Sequence, residues 1–439
     1  MKSLLKVFEV ADAASFEQAA AFCTERASED QSAPDAAREK LDAVRAIVEA
    51  VRTRGDDAVA EYTARFDGVD LRPDQFELDK QAIDRGVADA DRDLVAALER
   101  AHENIRQFHT KNLRQSWEET FEDGTLLGQR ISPIETVGVY VPGGKAFYPS
   151  SVLMNIVPAK VAGTREIVMV SPPSYQGSVH PLVLAAARIA GATRIFRIGG
   201  AQAVAALALG TKTVPAVLKI TGPGNVYVPL AKRLISTVCD IDTEAGPSEI
   251  AVIADEKANP EHVAIELICQ AEHDEDATAT LITSSKKKLK EVLQSIEDLL
   301  TTLPRADMVR TALTRRGAAF VVRSLDEAAA LADVIAPEHL SIQVEVPMKV
   351  FDKIRNAGAV LLGGGTPVAV GDYYAGPNHI LPTGRRARFA SSLSVDDFRK
   401  TTNFISYSPK RLRRQADDIM LLANAEGLPA HARAVELRR

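Results

Sequence analysis

Hydrophobic positions recur with two different periods along this chain, and the change of period marks its organisation. Leu41, Val44, Ile47, Val48 and Val51 fall at helical spacing and stop at Gly55, which predicts an amphipathic helix. Further helices are expected over 80–88 and 93–110, and residues 1–35 read as a helical arm ending in an acidic, Ala/Ser-rich link. From Thr136 the texture changes. Val137-Gly138-Val139-Tyr140-Val141 reads as a buried strand broken at Pro142-Gly143-Gly144. Helix 151–162, strand 166–170, helix 180–190 and strand 194–198 follow, then the break Gly199-Gly200 and helix 201–209. Strand 216–220, the break Gly222-Pro223-Gly224-Asn225 and helix 226–236 complete this half. Strands alternating with helices at this spacing imply parallel βαβ units in an open sheet.

A second α/β unit opens at Gly246-Pro247-Ser248-Glu249 with strand 250–254. Asn259-Pro260 then suits a helix start, asparagine as N-cap and proline in the first turn. Val263, Leu267, Ile268 and Ala271 give that helix an apolar stripe. Strand 278–282, helix 286–303 and strand 318–322 lead to a capping box, Ser324 and Glu327, at the head of helix 325–335. Glu338-His339-Leu340 opens strand 341–344, and helix 347–356 and strand 359–362 follow. The glycine-rich loop over 363–383 is too long for a mere connector. Residues 393–439 show helical pieces and no sheet pattern, so this tail must dock on something, a second copy of the chain being one candidate. The expected fold is α/β: two Rossmann-like open parallel-sheet domains lacking a G-x-G-x-x-G fingerprint, a helical arm and a mostly helical tail. The expected domains are residues 1–35 (arm), 36–136 with 246–392 (catalytic and metal residues), 137–245 (nucleotide-binding) and 393–439 (tail).

Composition narrows the class. A chain of 439 residues exceeds one compact core, in keeping with two domains. It contains no run of eighteen apolar residues and hence no expected membrane span, and the N-terminus turns acidic before a signal sequence could form. A net charge of −6 leaves no electrostatic footprint for nucleic acid. Cys23, Cys239 and Cys269 are an odd number in apolar or helical settings, which suits a reducing cytoplasm.

Candidate chemistry gathers in the second half. Gln270 and His273 lie three apart where a helix's apolar stripe runs out, so an amide oxygen and an imidazole share one face. His339 follows Glu338, His379 follows Asp372, and Glu426 stands five before His431; histidine beside carboxylate is suited to proton transfer near neutral pH. Tyr140, Gln202 and Asn225 stand at strand ends, where open α/β sheets bind ligands. Each histidine alone is more often a surface or hydrogen-bonded residue than a ligand; together they suggest a metal- and nucleotide-dependent enzyme.

The motifs resemble those of the histidinol dehydrogenase family. They are Val137-Gly-Val-Tyr-Val-Pro-Gly-Gly-Lys-Ala146, Tyr148-Pro-Ser-Ser-Val-Leu-Met-Asn155, Gly199-Gly-Ala-Gln-Ala203, Gly222-Pro-Gly-Asn-Val-Tyr-Val228 and Ala245-Gly-Pro-Ser-Glu249. Gln270-Ala-Glu-His273, Ala336-Pro-Glu-His-Leu340, Gly371-Asp-Tyr373, Asn378-His-Ile-Leu-Pro-Thr383 and Glu426-Gly-Leu-Pro-Ala-His431 continue in family order. The resemblance implies oxidation of L-histidinol through L-histidinal to L-histidine with NAD and one zinc ion per subunit, in a cytoplasmic homodimer whose tail is exchanged. It implies zinc ligands Gln270, His273, Asp372 and His431, which also meet the substrate. Cofactor contacts fall at Tyr140, Gln202 and Asn225, and further substrate contacts at Ser248, His339, His379 and Glu426. His339 is implied as the base of both oxidations and Glu338 as the group that activates water on the aldehyde. Thr243-Glu244 stands where the family usually has a more apolar Met-Pro pair, beside the substrate loop, and so bears on specificity. The competing expectations are a related zinc- and NAD-dependent dehydrogenase of another amino- or sulfonate-bearing alcohol, and a zinc-dependent binding protein without catalysis.

Overall fold

The computed structural model describes residues 4–29, 34–143, 147–243 and 246–439. Residues Gly144 to Ala146 of the first glycine motif, and Glu244 and Ala245 beside the substrate loop, lie outside the described residues. Among the described residues the strands form three sheets, two of them wholly parallel. In the five-stranded sheet the spatial order is Arg194–Phe196, Glu166–Val170, Thr136–Tyr140, Lys219–Thr221 and Asp240–Ile241. In the six-stranded sheet it is Lys6–Glu9, Ala318–Val321, Thr278–Thr283, Glu249–Ala254, His339–Gln343 and Ala359–Leu362. Apart from Lys6–Glu9, both sheets therefore wind third, second, first, fourth, fifth. In each, the chain reverses direction across the sheet between its first and fourth strands, a doubly wound switch point.

The strands read as continuous apolar runs because both faces are covered. On the six-stranded sheet, helices Pro260–Ala271, Lys286–Leu300 and Ala306–Arg316 bury one face around Val252, Leu281 and Ala319. Helices Ala13–Glu29 and Leu325–Ile335 bury the other around Ile253, Ile282 and Phe320. The five-stranded sheet is covered on one face by Pro34–Arg54, Asp56–Asp67, Gly200–Leu209 and Tyr227–Ile235. Its other face meets Lys80–Ala88, Arg92–Lys111, Pro149–Ala162 and Pro181–Ala190.

Three expectations are corrected. The N-terminal arm is not purely helical: Lys6–Glu9 adds a parallel edge strand beside Ala318–Val321, fixed by buried Leu5 and by Phe8 stacked on Phe320 at 5.0 Å. Residues 34–111 pack on the five-stranded sheet rather than with 246–392, because the helices that cover the six-stranded sheet leave it no free apolar face. The tail does contain sheet. Arg399–Ser406 pairs antiparallel with Leu126–Pro133, which also pairs with Trp117–Thr120. Gly128 is required in that ribbon, since a Cβ there would stand 2.4 Å from Phe404 Cζ and 2.5 Å from the Trp117 carbonyl. Beyond it, helices Pro409–Ala425 and Pro429–Glu436 leave Leu421 and Leu422 exposed.

Candidate active site

A cleft of about 380 Å³ opens between the two parallel sheets. Its wall on the five-stranded side is Pro142 and the turn from Gly222 to Asn225, beyond the carboxyl ends of the switch-point strands. The six-stranded sheet contributes Ser248, Glu338 and His339 from the opposite, amino ends of its own switch-point strands. Gln270, His273, Asp372 and His379 add further polar groups to the lining. The usual rule that ligands sit at carboxyl ends thus applies to one sheet here and is inverted in the other.

Local structure sets Glu338 and His339 tightly. Helix Leu325–Ile335 ends at Ala336, held left-handed at φ 48°, and Pro337 prevents its continuation. His339 then enters the sheet opposite Ile250 and Ala359. Glu338 Oε2 accepts the Glu249 N–H at 2.8 Å and lies 3.4 Å from Gln270 Nε2. His339 Nδ1 stands 3.6 Å from Glu338 Oε2, and its Nε2 stands 3.5 Å from Asp372 Oδ1. Burial pulls the His339 pKa down, but Asp372 and Glu338 outweigh it and lift the value to about 10. Two carboxylates thus flank one imidazole, a group suited to proton traffic.

The other donors come from two short stretches. Gln270 lies in the last turn of helix Pro260–Ala271, buried, and exposed His273 follows it. Asp372 lies in the short helix Val368–Tyr373, and burial together with the His339 contact leaves its pKa lowered, the contact prevailing. His379 Nδ1 donates to the Asp372 carbonyl at 2.9 Å, which leaves Nε2 as the acceptor facing Ser151 Oγ at 3.4 Å. Burial lowers its pKa, so this ring is neutral. Ser248 lines the cleft while its carbonyl accepts the Thr278 N–H at 2.9 Å.

Of the three strand-end residues, Asn225 lines the cleft and the other two lie beneath it. Tyr140 Oη accepts the Gly200 N–H at 3.0 Å, and burial pushes the phenol up to about 12. Gln202 is wholly buried beside Gly200, with neither amide atom paired among the described residues. Glu426 and His431 lie exposed on the tail and do not line the cleft of their own chain.

Four further residues shape the site without having been singled out for it. Lys232 and Asp242 grip the Gly222 turn, Glu249 ties Glu338 to the Gly384 N–H (3.0 Å), and Glu266 receives the Val368 N–H at 3.0 Å. A signal was present for two of them. Lys232 and Glu266 are charged residues set within the apolar stripes Val228/Ala231/Ile235 and Val263/Leu267/Ile268. A charge kept on a buried stripe implies a specific partner.

Among the described residues, no group of three His, Cys, Asp or Glu side chains converges as a ready metal site within one chain. Gln270, His273 and Asp372 nevertheless line one cleft and offer two oxygens and one nitrogen, a donor set that fits zinc once another nitrogen is supplied.

The profile of the histidinol dehydrogenase family matches residues 30–439. The chain belongs to the histidinol dehydrogenase family. It is 52% identical over 392 residues to the histidinol dehydrogenase of Syntrophotalea carbinolica, covering 89% of this chain and 91% of the relative. The Heliobacterium mobile histidinol dehydrogenase is 51% identical over 89% of this chain and 92% of its own length. A crystal structure of histidinol dehydrogenase from Elizabethkingia anophelis, 34% identical, superposes with a TM-score of 0.92 over 100% of this chain and 98% of that one. The histidinol dehydrogenase profile begins beyond Lys6–Glu9, so this edge strand lies ahead of the matched region.

Proposed function

We propose that the protein oxidises L-histidinol through L-histidinal to L-histidine in histidine biosynthesis, consuming two NAD per histidinol, with one zinc ion per subunit. The observation that carries this reading is the Glu338–His339 pair facing Gln270, His273, Asp372 and His379 across one cleft in a chain of this family. Gln270, His273 and Asp372 would hold the metal with His431 of a second copy, and the ion would orient the imidazole and amine of the substrate. NAD would accept the hydride beside Asn225, with Tyr140 and Gln202 supporting the turns beneath.

His339 takes the hydroxyl proton as hydride leaves the carbinol carbon. Glu338 activates the water that adds to the aldehyde, and His339 then takes a hydroxyl proton of the hydrate as the second hydride leaves. One alcohol, one water and two NAD thus give one acid, two NADH and protons. A proton acceptor must be neutral, whereas two carboxylates hold His339 protonated near neutral pH. A cation held by Asp372 would weaken one of those two contacts and would bring His339 toward the range in which it accepts protons.

A homodimer would fit the same reading. Glu426 and His431 are exposed in their own chain, and the tail also exposes Ile405, Leu421, Leu422 and Leu437, an apolar surface that a second copy would cover. A cytoplasmic location agrees with Cys23, Cys239 and Cys269, all free thiols, and with the lack, among the described residues, of a helix long and apolar enough to cross a membrane.

The test counts NADH per L-histidinol consumed by zinc-loaded protein. Two NADH, abolished by a chelator, support the four-electron reaction. One NADH with aldehyde accumulating refutes it. No NADH from histidinol points to another amino- or sulfonate-bearing alcohol, with Thr243 on the cleft wall the first residue to vary.

A further inference from the structure

We propose that Glu266 is a positioning residue for the metal-binding set, clamping the helix that carries Asp372 to the helix that carries Gln270. This rests on the zinc reading above. Glu266 lies on helix Pro260–Ala271, is 3% exposed, and accepts the Val368 N–H through Oε2 at 3.0 Å. Val368 is the first residue of helix Val368–Tyr373 and is itself buried.

That short helix has no side-chain cap of its own, because Pro367 precedes it and proline has no group to give. A carboxylate from another helix takes the cap's place, where both the free N–H and the helix dipole favour negative charge. The spacing is the same on both sides of the clamp. Gln270 stands four residues after Glu266, and Asp372 stands four residues after Val368. Each donor therefore sits about one turn, roughly 6 Å, beyond the bond that joins the two helices. Fixing the bond fixes the relative height of the Gln270 amide and the Asp372 carboxylate. An apolar residue at position 266 would continue the stripe of Val263, Leu267 and Ile268, yet it would leave the Val368 N–H unpaired and the two helices free to slide.

The experiment measures zinc affinity by chelator competition on full-length wild-type protein, Glu266→Ala, Glu266→Gln and Val368→Pro, with the thermal midpoint of each zinc-free protein. Support groups that orient metal ligands typically contribute 10–100-fold to affinity, so Glu266→Ala is expected to weaken zinc binding by about that factor. Glu266→Gln keeps an oxygen in place and is expected to stay close to wild type. Val368→Pro removes the donated hydrogen while leaving a backbone that suits the first helical turn, and is expected to weaken zinc as Glu266→Ala does. If Glu266→Ala fails to fold, Val368→Pro and Glu266→Gln decide the matter. Lowered thermal midpoints with wild-type zinc affinity in Glu266→Ala or Val368→Pro overturn the proposal and leave the zinc reading intact, as does a Gln variant as weak as the Ala variant. Wild-type protein that takes up no zinc overturns both, and is recognisable before any variant is compared.

Discussion

Lys232 and Asp242 form an ion pair inside the protein and hold the two peptide units that flank Gly222. Gly222 donates its N–H to Asp242 Oδ2 at 2.7 Å, and its carbonyl accepts from Lys232 Nζ at 3.0 Å. Gly222 sits at φ 111°, and a Cβ there would stand 2.0 Å from the Tyr140 carbonyl, so the pair stabilises a turn open only to glycine. Removing one member strands a buried charge, at a typical cost of 3–5 kcal/mol. Lys232→Met is therefore expected to lower unfolding free energy by about that much and to raise KM for NAD more than KM for histidinol. Chemical denaturation and paired KM measurements check this. Unchanged stability, or a loss confined to histidinol, contradicts a role for the pair beneath the turn proposed to meet NAD.

The roles proposed for Glu338 and His339 are expected to separate by substrate. His339→Asn is expected to keep fold and zinc and to slow both oxidations, by about 10²–10⁴-fold, the usual contribution of a general base. Glu338→Gln is expected to slow oxidation of histidinal far more than that of histidinol, because only the aldehyde needs an activated water. Rates measured from each substrate separately decide it. Equal losses from the two substrates in Glu338→Gln would remove water activation from its role.

Acid stability should depend on His109. It is 1% exposed on helix Arg92–Lys111, and neither ring nitrogen has a partner among the described residues. Burial lowers its pKa from 6.5 to about 4. The folded pKa is below the unfolded one, so as pH falls from about 6.5 to about 4 the unfolded chain takes the proton first and folding loses free energy. At 1.36 kcal/mol per unit, the loss approaches ~3 kcal/mol. His109→Leu is expected to flatten that part of the stability profile. An unaltered slope in urea melts across this window would assign the acid sensitivity elsewhere.

Legibility in the sequence followed burial. Strands with both faces covered, such as Glu249–Ala254, stand out as apolar runs, and helix Lys80–Ala88 coincides with its expected bounds. Arg399–Ser406 is exposed along most of its length, so it lacks the alternation by which a half-buried strand is recognised. The sheet on which residues 34–111 pack is a non-local choice, and an amphipathic stripe specifies an apolar partner without naming it. At the site, Ser248, Gln270, His273, Glu338, His339, Asp372, His379 and Asn225 all line one cleft. Tyr140, the last residue of its strand, and Gln202, in the first turn of helix Gly200–Leu209, lie beneath it because both side chains approach Gly200, a direction that sequence position alone does not fix.

The proposed exchange of the tail can be tested against a tail that folds back on its own chain. His339 lines the cleft, whereas His431 lies exposed on the last helix of the same chain. His339→Asn and His431→Ala are each expected to be inactive alone. If His431 reaches the partner's cleft, a dimer containing one chain of each type has one site with both defects and one site with none. Refolding the two variants together in equal amounts makes about half of the dimers mixed, and total activity should return to roughly a quarter of wild type. If His431 instead folds back into its own cleft, each site of a mixed dimer carries one defect and no activity returns. The recovered rate therefore decides whether the site is built from one chain or two.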